Sequence, residues 1–255
     1  MTEYTDHHGP EGLRTRGTII VVPGRGETRA TYTRLGRRLA ADAYRVRVVD
    51  APSVDTGDPA GALDRFGDRL AEAVADTADD GAVVRPVVLV GADTGAVAVA
   101  ALLGGDRPPA VFRPDAVVLA GLPGGAAATA ATWDEELDVR TSCPAHRGTL
   151  TDDSQVRRGS LGDAVPAALL SAALDSESDV PALLLVGDTD PLADRDALVR
   201  TTKSLARARL SVVRGAHHDV LNDVQHRSVA AEVVSFLETL RNELVPVVAV
   251  ESSAW

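Results

Sequence analysis

Short apolar runs alternate with longer segments of helical periodicity along most of this 255-residue chain. Between the runs, apolar residues recur every three or four positions, as at Tyr32, Leu35 and Leu39, which predicts amphipathic helices. Strands that are apolar on both faces and alternate with helices predict a mostly parallel, doubly wound α/β sheet of about six or more strands. The predicted strands cover residues 18–22, 45–49, 87–90, 116–119, 182–186 and 210–213.

Chain length predicts one large α/β domain, because two such domains with a linker would need more residues. We expect a polar N-terminal tail over residues 1–16 and the domain over 17–255. The alternation breaks between about 125 and 180, and so long an insertion predicts a lid over a functional site. The last helix is expected to begin at Asn222 or Asp223, which are good N-cap residues. Residues 245–255 are expected to add an edge strand or to pack outside the core.

The charge and composition of the chain limit its partners. A net charge of -11 disfavours nucleic acid and anionic membrane surfaces as partners. No apolar run reaches the roughly 20 residues that span a bilayer, and the N-terminus lacks a signal-peptide core. The single cysteine, Cys143, excludes an internal disulfide and a multi-cysteine metal site. We expect a cytoplasmic protein that acts on a small molecule without a metal or cofactor, with its oligomeric state open and a homodimer among the alternatives.

Three polar segments, each directly after a predicted strand, carry the candidate chemistry. They are GADTG at 91–95, GDTDP at 187–191 and GAHHD at 215–219. In open α/β sheets, ligands bind beyond the carboxyl ends of the strands. The first segment has the form of the nucleophile elbow G-x-S-x-G, but Asp93 stands where the serine would be. Together the segments follow the chain order nucleophile, acid, histidine.

The N-terminal part adds a fourth motif. Residues 21–40, VVPGRGETRATYTRLGRRLA, resemble the segment H-G-x-G-E-x-x-x-x-Y-x-x-L-x-x-x-L-A of monoacylglycerol lipases and lysophospholipases in the α/β-hydrolase superfamily. GAHHDVLND is similar to that family's G-A-x-H-[DE]-x-x-N-[DE] ending, and GDTDP to its G-x-x-D-P. Apart from the predicted lid, the resemblance covers residues 17–240.

This resemblance implies an α/β-hydrolase fold and assigns roles to individual residues. It selects His218 as the catalytic histidine and Asp190 as the catalytic acid. It also implies an oxyanion hole formed by the backbone amides of Arg25 and Thr94. One departure is tolerable: Pro23 replaces the family's histidine, but the oxyanion hole uses a backbone amide rather than that side chain.

The second departure, Asp93 in place of serine, rules out the ordinary acyl-serine mechanism. A carboxylate is ionised near neutral pH and attacks sp³ carbon bearing a leaving group more readily than a carbonyl. Haloalkane dehalogenases and soluble epoxide hydrolases, which share this fold, place aspartate at the elbow. Their likeness implies that Asp93 is the nucleophile of an alkyl-enzyme ester, that His218 activates the water, and that Asp190 orients His218.

Other features keep alternatives open. Thr94 follows Asp93 where those dehalogenases commonly carry tryptophan, and the predicted lid lacks the tyrosines of epoxide hydrolases. The altered triad is therefore also compatible with Asp93 as a base or water-binding group in an elimination, cyclisation or rearrangement, or with a non-catalytic ligand-binding protein. An aspartate is favoured at a helix N-terminus even without catalysis. Further candidates for the substrate pocket are Gly24, Trp133, His146 and His217.

Overall fold

The computed structural model describes residues 4–52, 57–79, 81–104 and 113–253. It contains seven strands: β1 (Thr5–His7), β2 (Thr18–Val22), β3 (Arg45–Val48), β4 (Val87–Ala92), β5 (Ala116–Ala120), β6 (Ala182–Gly187) and β7 (Ala208–Val213). They form one sheet in the order β1-β3-β2-β4-β5-β6-β7, in which β1 is antiparallel to β3 and the other neighbours are parallel. All six predicted strands are present, each within two residues of its predicted bounds, and the predicted fold class is confirmed.

Helices cover both faces of the sheet and form part of the long connection after β5. They are α1 (Thr33–Ala41), α2 (Pro59–Ala75), α3 (Thr94–Leu103), α4 (Trp133–Arg140), α5 (Pro144–Asp152), α6 (Ala167–Leu174), α7 (Arg195–Ser204) and α8 (His226–Arg241). Local signals set several of their starts. The Asp58 carboxylate accepts a hydrogen bond from the Gly61 amide at the start of α2, and Thr132 forms a capping box with Glu135 at the start of α4.

The core forms two layers because consecutive strand residues point to opposite faces. In β4, Val87 and Leu89 pack with α2 and α3, whereas Val88 and Val90 pack with α1 and α8. Every residue of β4 is buried, as expected for a central parallel strand covered on both faces. This packing holds β4 rigidly and so fixes where its carboxyl end lies.

The N-terminal segment differs from the predicted polar tail. Its residues 5–7 form β1, which pairs with β3 at the edge of the sheet. Asp6 accepts hydrogen bonds from Nε and Nη2 of the buried Arg47 at 2.7 and 2.6 Å. An edge strand needs only backbone pairing on one side, so polar side chains do not prevent it, and the Asp6–Arg47 ion pair anchors this one.

The predicted start of the last helix, at Asn222 or Asp223, is also wrong, because α8 begins at His226. The Asp223 carboxylate instead accepts hydrogen bonds from Thr141 Oγ1 at 2.7 Å and from the His217 amide at 2.7 Å. It is therefore engaged with other parts of the fold and does not cap α8. After this helix the valines at 245, 247, 248 and 250 are exposed and in no strand, so this part of the C-terminal segment lies outside the core.

The long connection between β5 and β6, residues 121–181, is called the insertion. Its outer part, α4 and α5, has a small core of its own formed by Leu137, Leu150 and Val156. Its last helix, α6, packs instead on α3 in the main core. The predicted lid at 125–180 therefore includes a helix, α6, that belongs to the main core, and the lid itself stays a prediction. Within the described ranges, no helix is both long and apolar enough to cross a membrane.

Candidate active site

The three predicted catalytic residues meet at one edge of the sheet. The strands β4, β6 and β7 are parallel, so their carboxyl ends lie at the same edge. Asp93 directly follows β4, Asp190 lies in the loop between β6 and α7, and His218 lies in the loop after β7. The fold therefore brings together side chains that are 28 and 125 positions apart in the sequence.

Asp93 lies in a sharp turn between β4 and α3. Its backbone angles, φ 47° and ψ -119°, fall where few residues other than glycine are found, and such conformations concentrate at functional sites. A Cβ atom at Gly91 would lie 2.6 Å from the Cα of Ala96, and one at Gly95 would lie 2.4 Å from the carbonyl oxygen of Val22. The turn therefore requires both glycines of the GADTG segment and lifts the Asp93 carboxylate off the end of the sheet.

His218 connects the two carboxylates. Its Nδ1 lies 2.9 Å from Asp190 Oδ2, and its Nε2 lies 3.2 Å from Asp93 Oδ1. Asp190 is itself oriented, since its Oδ1 accepts a hydrogen bond from the Leu192 amide at 2.9 Å. The three side chains are at most 5% exposed. The His218 ring therefore lies between the two carboxylates, with one ring nitrogen directed at each.

The side chain of Arg25 closes over Asp93. Its Nε lies 2.8 Å from Oδ2 and its Nη2 lies 2.8 Å from Oδ1, which makes a buried bidentate ion pair. The backbone amide of Arg25 also donates to Oδ2 at 2.8 Å. On its far side, Nη1 donates to the carbonyl oxygens of Leu161 and Asp163 in the insertion. Arg25 therefore links the nucleophile position to the insertion through a side chain that the sequence motif left unassigned.

Both residues predicted for the oxyanion hole lie beside Asp93. The amide of Arg25 already contacts Oδ2, and Thr94 is the first residue of α3, where amides lack an acceptor within the helix. The loop that carries Arg25 is held by Glu27, whose Oε2 accepts the Gly24 amide at 2.8 Å. Gly24 touches the site closely, because a Cβ atom there would lie 2.8 Å from the Cβ of Asp93.

The charges of this cluster shift the pKa values of Asp93 and His218. Burial by itself would raise the pKa of Asp93, but hydrogen bonds and charge from His218 and Arg25 outweigh it and hold that pKa well below its usual range. Burial would lower the pKa of His218, but the two neighbouring carboxylates, Asp190 and Asp93, raise it to about 10. Both shifts favour an ionised carboxylate next to a protonated imidazole when no substrate is bound.

A cleft of about 670 Å³ opens next to this cluster. Arg25 and Thr94 line it, whereas Asp93, which is 4% exposed, lies behind the Arg25 side chain. A smaller apolar cavity adjoins the cleft and shares three of its lining residues, Pro52, Thr94 and Val165. The cleft is large enough for a small molecule, it adjoins an apolar cavity, and Arg25 separates it from the Asp93 carboxylate.

The remaining pocket candidates lie elsewhere among the described residues. Trp133 packs in the insertion, where its Nε1 donates to Thr151 Oγ1 at 3.1 Å and Arg158 lies over its ring. His146 contacts Asp219 at 2.8 Å, and His217 contacts Asp223 at 2.9 Å. These three side chains do not line the cleft beside Thr94.

The sequence reasoning missed the Arg25 side chain, since the motif assigned that residue only a backbone role. Two positions in the motifs indicate this contact. Arg25, at the variable position of the oxyanion loop, is a cation, and Asp93, at the serine position of the elbow, is an anion. Complementary charges at positions that the fold places side by side predict an ion pair.

Comparisons with known proteins agree with the fold. The profile of the Alpha/beta hydrolase family matches residues 19–233. The search of curated proteins found no match. Among solved structures, a soluble variant of monoglyceride lipase from Saccharomyces cerevisiae aligns with TM-score 0.68 and 13% identity, covering 93% of this chain and 91% of that one. Monoacylglycerol lipase from Paleococcus ferrophilus aligns with TM-score 0.66 and 19% identity, covering 92% and 99%.

A third similar structure is YbtT, the type II thioesterase of a yersiniabactin biosynthetic pathway, with TM-score 0.56 and 17% identity over 93% of this chain and 98% of that one. At such low identities the likeness establishes the fold and leaves the reaction open. The match over residues 19–233 covers most of the sequence. The chain belongs to the alpha/beta hydrolase family.

Proposed function

We propose that this protein is a hydrolase that uses Asp93 as a nucleophile towards an sp³ carbon of a small molecule. The observation that carries the proposal is the pair of contacts on its carboxylate: Oδ1 faces His218 Nε2, and Oδ2 accepts the amide of Arg25. The low pKa of Asp93 keeps it ionised for attack and makes it a poor general base. This argues against an elimination that starts with proton removal by Asp93.

In the first step, Oδ1 of Asp93 forms a bond to the substrate carbon, and the leaving group departs as an anion with the bonding pair. Because the Asp93 ester carries no charge, it no longer stabilises protonated His218. Asp190 is then the one carboxylate that still does so, and His218 loses its proton to solvent. Neutral His218 then takes a proton from a water molecule, and the water oxygen attacks Cγ of the ester. The amides of Arg25 and Thr94 stabilise the oxyanion on Oδ2. As the bond between Cγ and Oδ1 breaks, Oδ1 leaves in the product and takes a proton from His218 to give the alcohol. The new carboxylic acid of Asp93 returns its proton to His218, which restores the carboxylate and the protonated imidazole.

The Arg25 guanidinium makes an anionic substrate the best fit. Its bidentate pair with Asp93 occupies the attacking oxygen and must open before reaction. Leaving a buried guanidinium without a partner is costly, and a carboxylate on the substrate supplies a new one. We therefore infer a small substrate with its own carboxylate next to the reacting carbon, for which 2-bromopropionate is a suitable probe.

A single turnover in heavy-oxygen water tests this chemistry, with enzyme in excess over 2-bromopropionate. We expect the label in the Asp93 carboxylate and not in the first-formed product, because water attacks the enzyme ester and not the substrate. In His218→Gln, water activation is lost, so the protein mass should rise by the substrate minus bromide. The neutral probe 1-bromopropane, which lacks the carboxylate, should react much more slowly. Label in the product alone, or no adduct in the variant, would contradict the mechanism.

A second candidate function is ligand binding without turnover. One observation favours it, namely that the Arg25 side chain separates Asp93 from the cleft. This candidate predicts no turnover of ester, epoxide or halide probes and no label in Asp93. Turnover that depends on Asp93 would exclude it.

A further inference from the structure

A second buried cluster of ionisable groups lies outside the Asp93 triad. It combines Glu27 from the loop after β2, His146 from α5 and Asp219 from the loop after β7. One potential ligand atom from each residue lies within 4.8 Å of the other two. Glu27 and His146 are 7% and 2% exposed, and the Asp219 side chain is 5% exposed. The proposed reaction at Asp93 uses none of the three.

Glu27 has one carboxylate oxygen without a partner. Its Oε2 accepts hydrogen bonds from the Gly24 amide and from the Tyr32 hydroxyl. Its Oε1 is buried and has no hydrogen-bond partner. A buried carboxylate oxygen with no donor is costly, so this oxygen is available to a cation.

One guanidinium and a third carboxylate, those of Arg140 and Glu136, are buried next to the cluster. Arg140 is the buried cation beside it, but its Nε and Nη2 are directed at Glu136 Oε1, at 3.1 and 2.9 Å. Its Nη1 lies 3.5 Å from Asp219 Oδ1. Arg140 is thus engaged by Glu136 and Asp219, whereas Oε1 of Glu27 has no donor. A divalent cation would give that buried carboxylate a counter-charge.

We propose that Glu27, His146 and Asp219 bind one divalent transition-metal ion. One imidazole and two carboxylates form a donor set suited to Zn²⁺, with ligand distances of about 2.0–2.2 Å. His146 Nε2 and Asp219 Oδ2 are 2.8 Å apart, which is hydrogen-bond distance, and around a tetrahedral ion they would move apart to about 3.3 Å or more. Three protein ligands leave a coordination position for water.

Such an ion would join three segments that frame the active site. Glu27 is two residues after Arg25 in the oxyanion loop, Asp219 directly follows His218, and His146 belongs to the insertion. The ion would therefore hold the insertion against the loops that position Arg25 and His218. This role is independent of whether Asp93 is a nucleophile.

Calorimetric titration of the chelator-treated full-length protein with Zn²⁺ tests the site. We expect one ion per chain and a rise in Tm on binding, and Co²⁺ should show visible absorption bands of a protein-bound ion. In Glu27→Gln and His146→Gln the affinity should fall by more than about 100-fold, beyond the roughly 10–100-fold loss typical of an outer-sphere partner. The matched control is His217→Gln, which removes a histidine paired with an aspartate outside the cluster and should keep the wild-type affinity.

Absence of stoichiometric Zn²⁺ binding by the wild-type protein would overturn the proposal, whatever the variants do. So would binding that His146→Gln leaves unchanged, or binding that is lost in His217→Gln. Circular dichroism of each metal-free variant separates loss of ligand from loss of fold.

Discussion

Replacing Asp93 with asparagine is expected to lower kcat/KM for the carboxylate probe by about 10⁴-fold or more, the scale seen when the nucleophile of a catalytic unit is removed. The amide has nearly the shape of the carboxylate but cannot displace a leaving group from carbon. Turnover would be measured as the release of bromide from 2-bromopropionate by the freshly purified variant.

The control for this variant is Asp188→Asn. Asp188 lies in the same loop as Asp190, is exposed, and accepts a hydrogen bond from the Gly215 amide at 2.6 Å. Its removal changes the net charge in the same way and should leave turnover within about 2-fold, since a surface change of this kind has small effects. Equal turnover in Asp93→Asn and the wild-type protein would show that Asp93 is not the nucleophile.

Replacing Arg25 with methionine is expected to lower the free energy of unfolding by about 3–5 kcal/mol. The reason is that Asp93 would stay buried while losing both guanidinium contacts, and a buried charge stripped of its partner is strongly destabilising. The backbone amide of residue 25 is unaffected by the change. Urea denaturation with an unchanged m-value would report the loss as a lower midpoint.

Two further variants separate the loss of the buried charge pair from a general effect of losing an arginine. The double variant Arg25→Met/Asp93→Asn removes both charges and is expected to regain most of the lost stability, because replacing a whole buried pair is often neutral. Arg157→Met breaks an Arg157–Asp163 pair of 2.6 Å whose side chains are 65% and 54% exposed, and should cost only about 0–1 kcal/mol. If Arg25→Met lowered the free energy of unfolding as little as Arg157→Met, the buried Arg25–Asp93 pair would not stabilise the fold to the expected extent.

The Arg25 side chain either releases Asp93 when a substrate binds or keeps it paired permanently. If Asp93→Asn abolishes turnover, the hydrolase proposal stands and Arg25 becomes the group that an incoming anion must engage. If no probe is turned over and Arg25→Met is strongly destabilising, the same ion pair is structural, and the ligand-binding alternative gains support.

The sequence predicted the central part of the fold because its pattern is strong there. β2 to β7 are apolar on both faces and separated by helical segments, and this pattern leaves few alternatives to a parallel sheet covered on two sides. The edge strand β1 was missed because its side chains are polar and its stability comes from backbone pairing and from Arg47. The start of α8 was misplaced because the Asp223 side chain is used by Thr141 and His217.

The sequence by itself predicted that the segments carrying Asp93, Asp190 and His218 would meet, since each follows a strand and parallel strands end at one edge of the sheet. The family resemblance selected Asp190 and His218 within their segments. Only the tertiary structure decided what surrounds them. It set the Arg25 guanidinium across Asp93 and brought Glu27, His146 and Asp219 together, because side-chain direction and burial depend on contacts between distant segments. Strand positions can be predicted from the apolar pattern of the sequence. The direction of a long side chain in a packed interior cannot, because it depends on neighbours that are distant in the sequence.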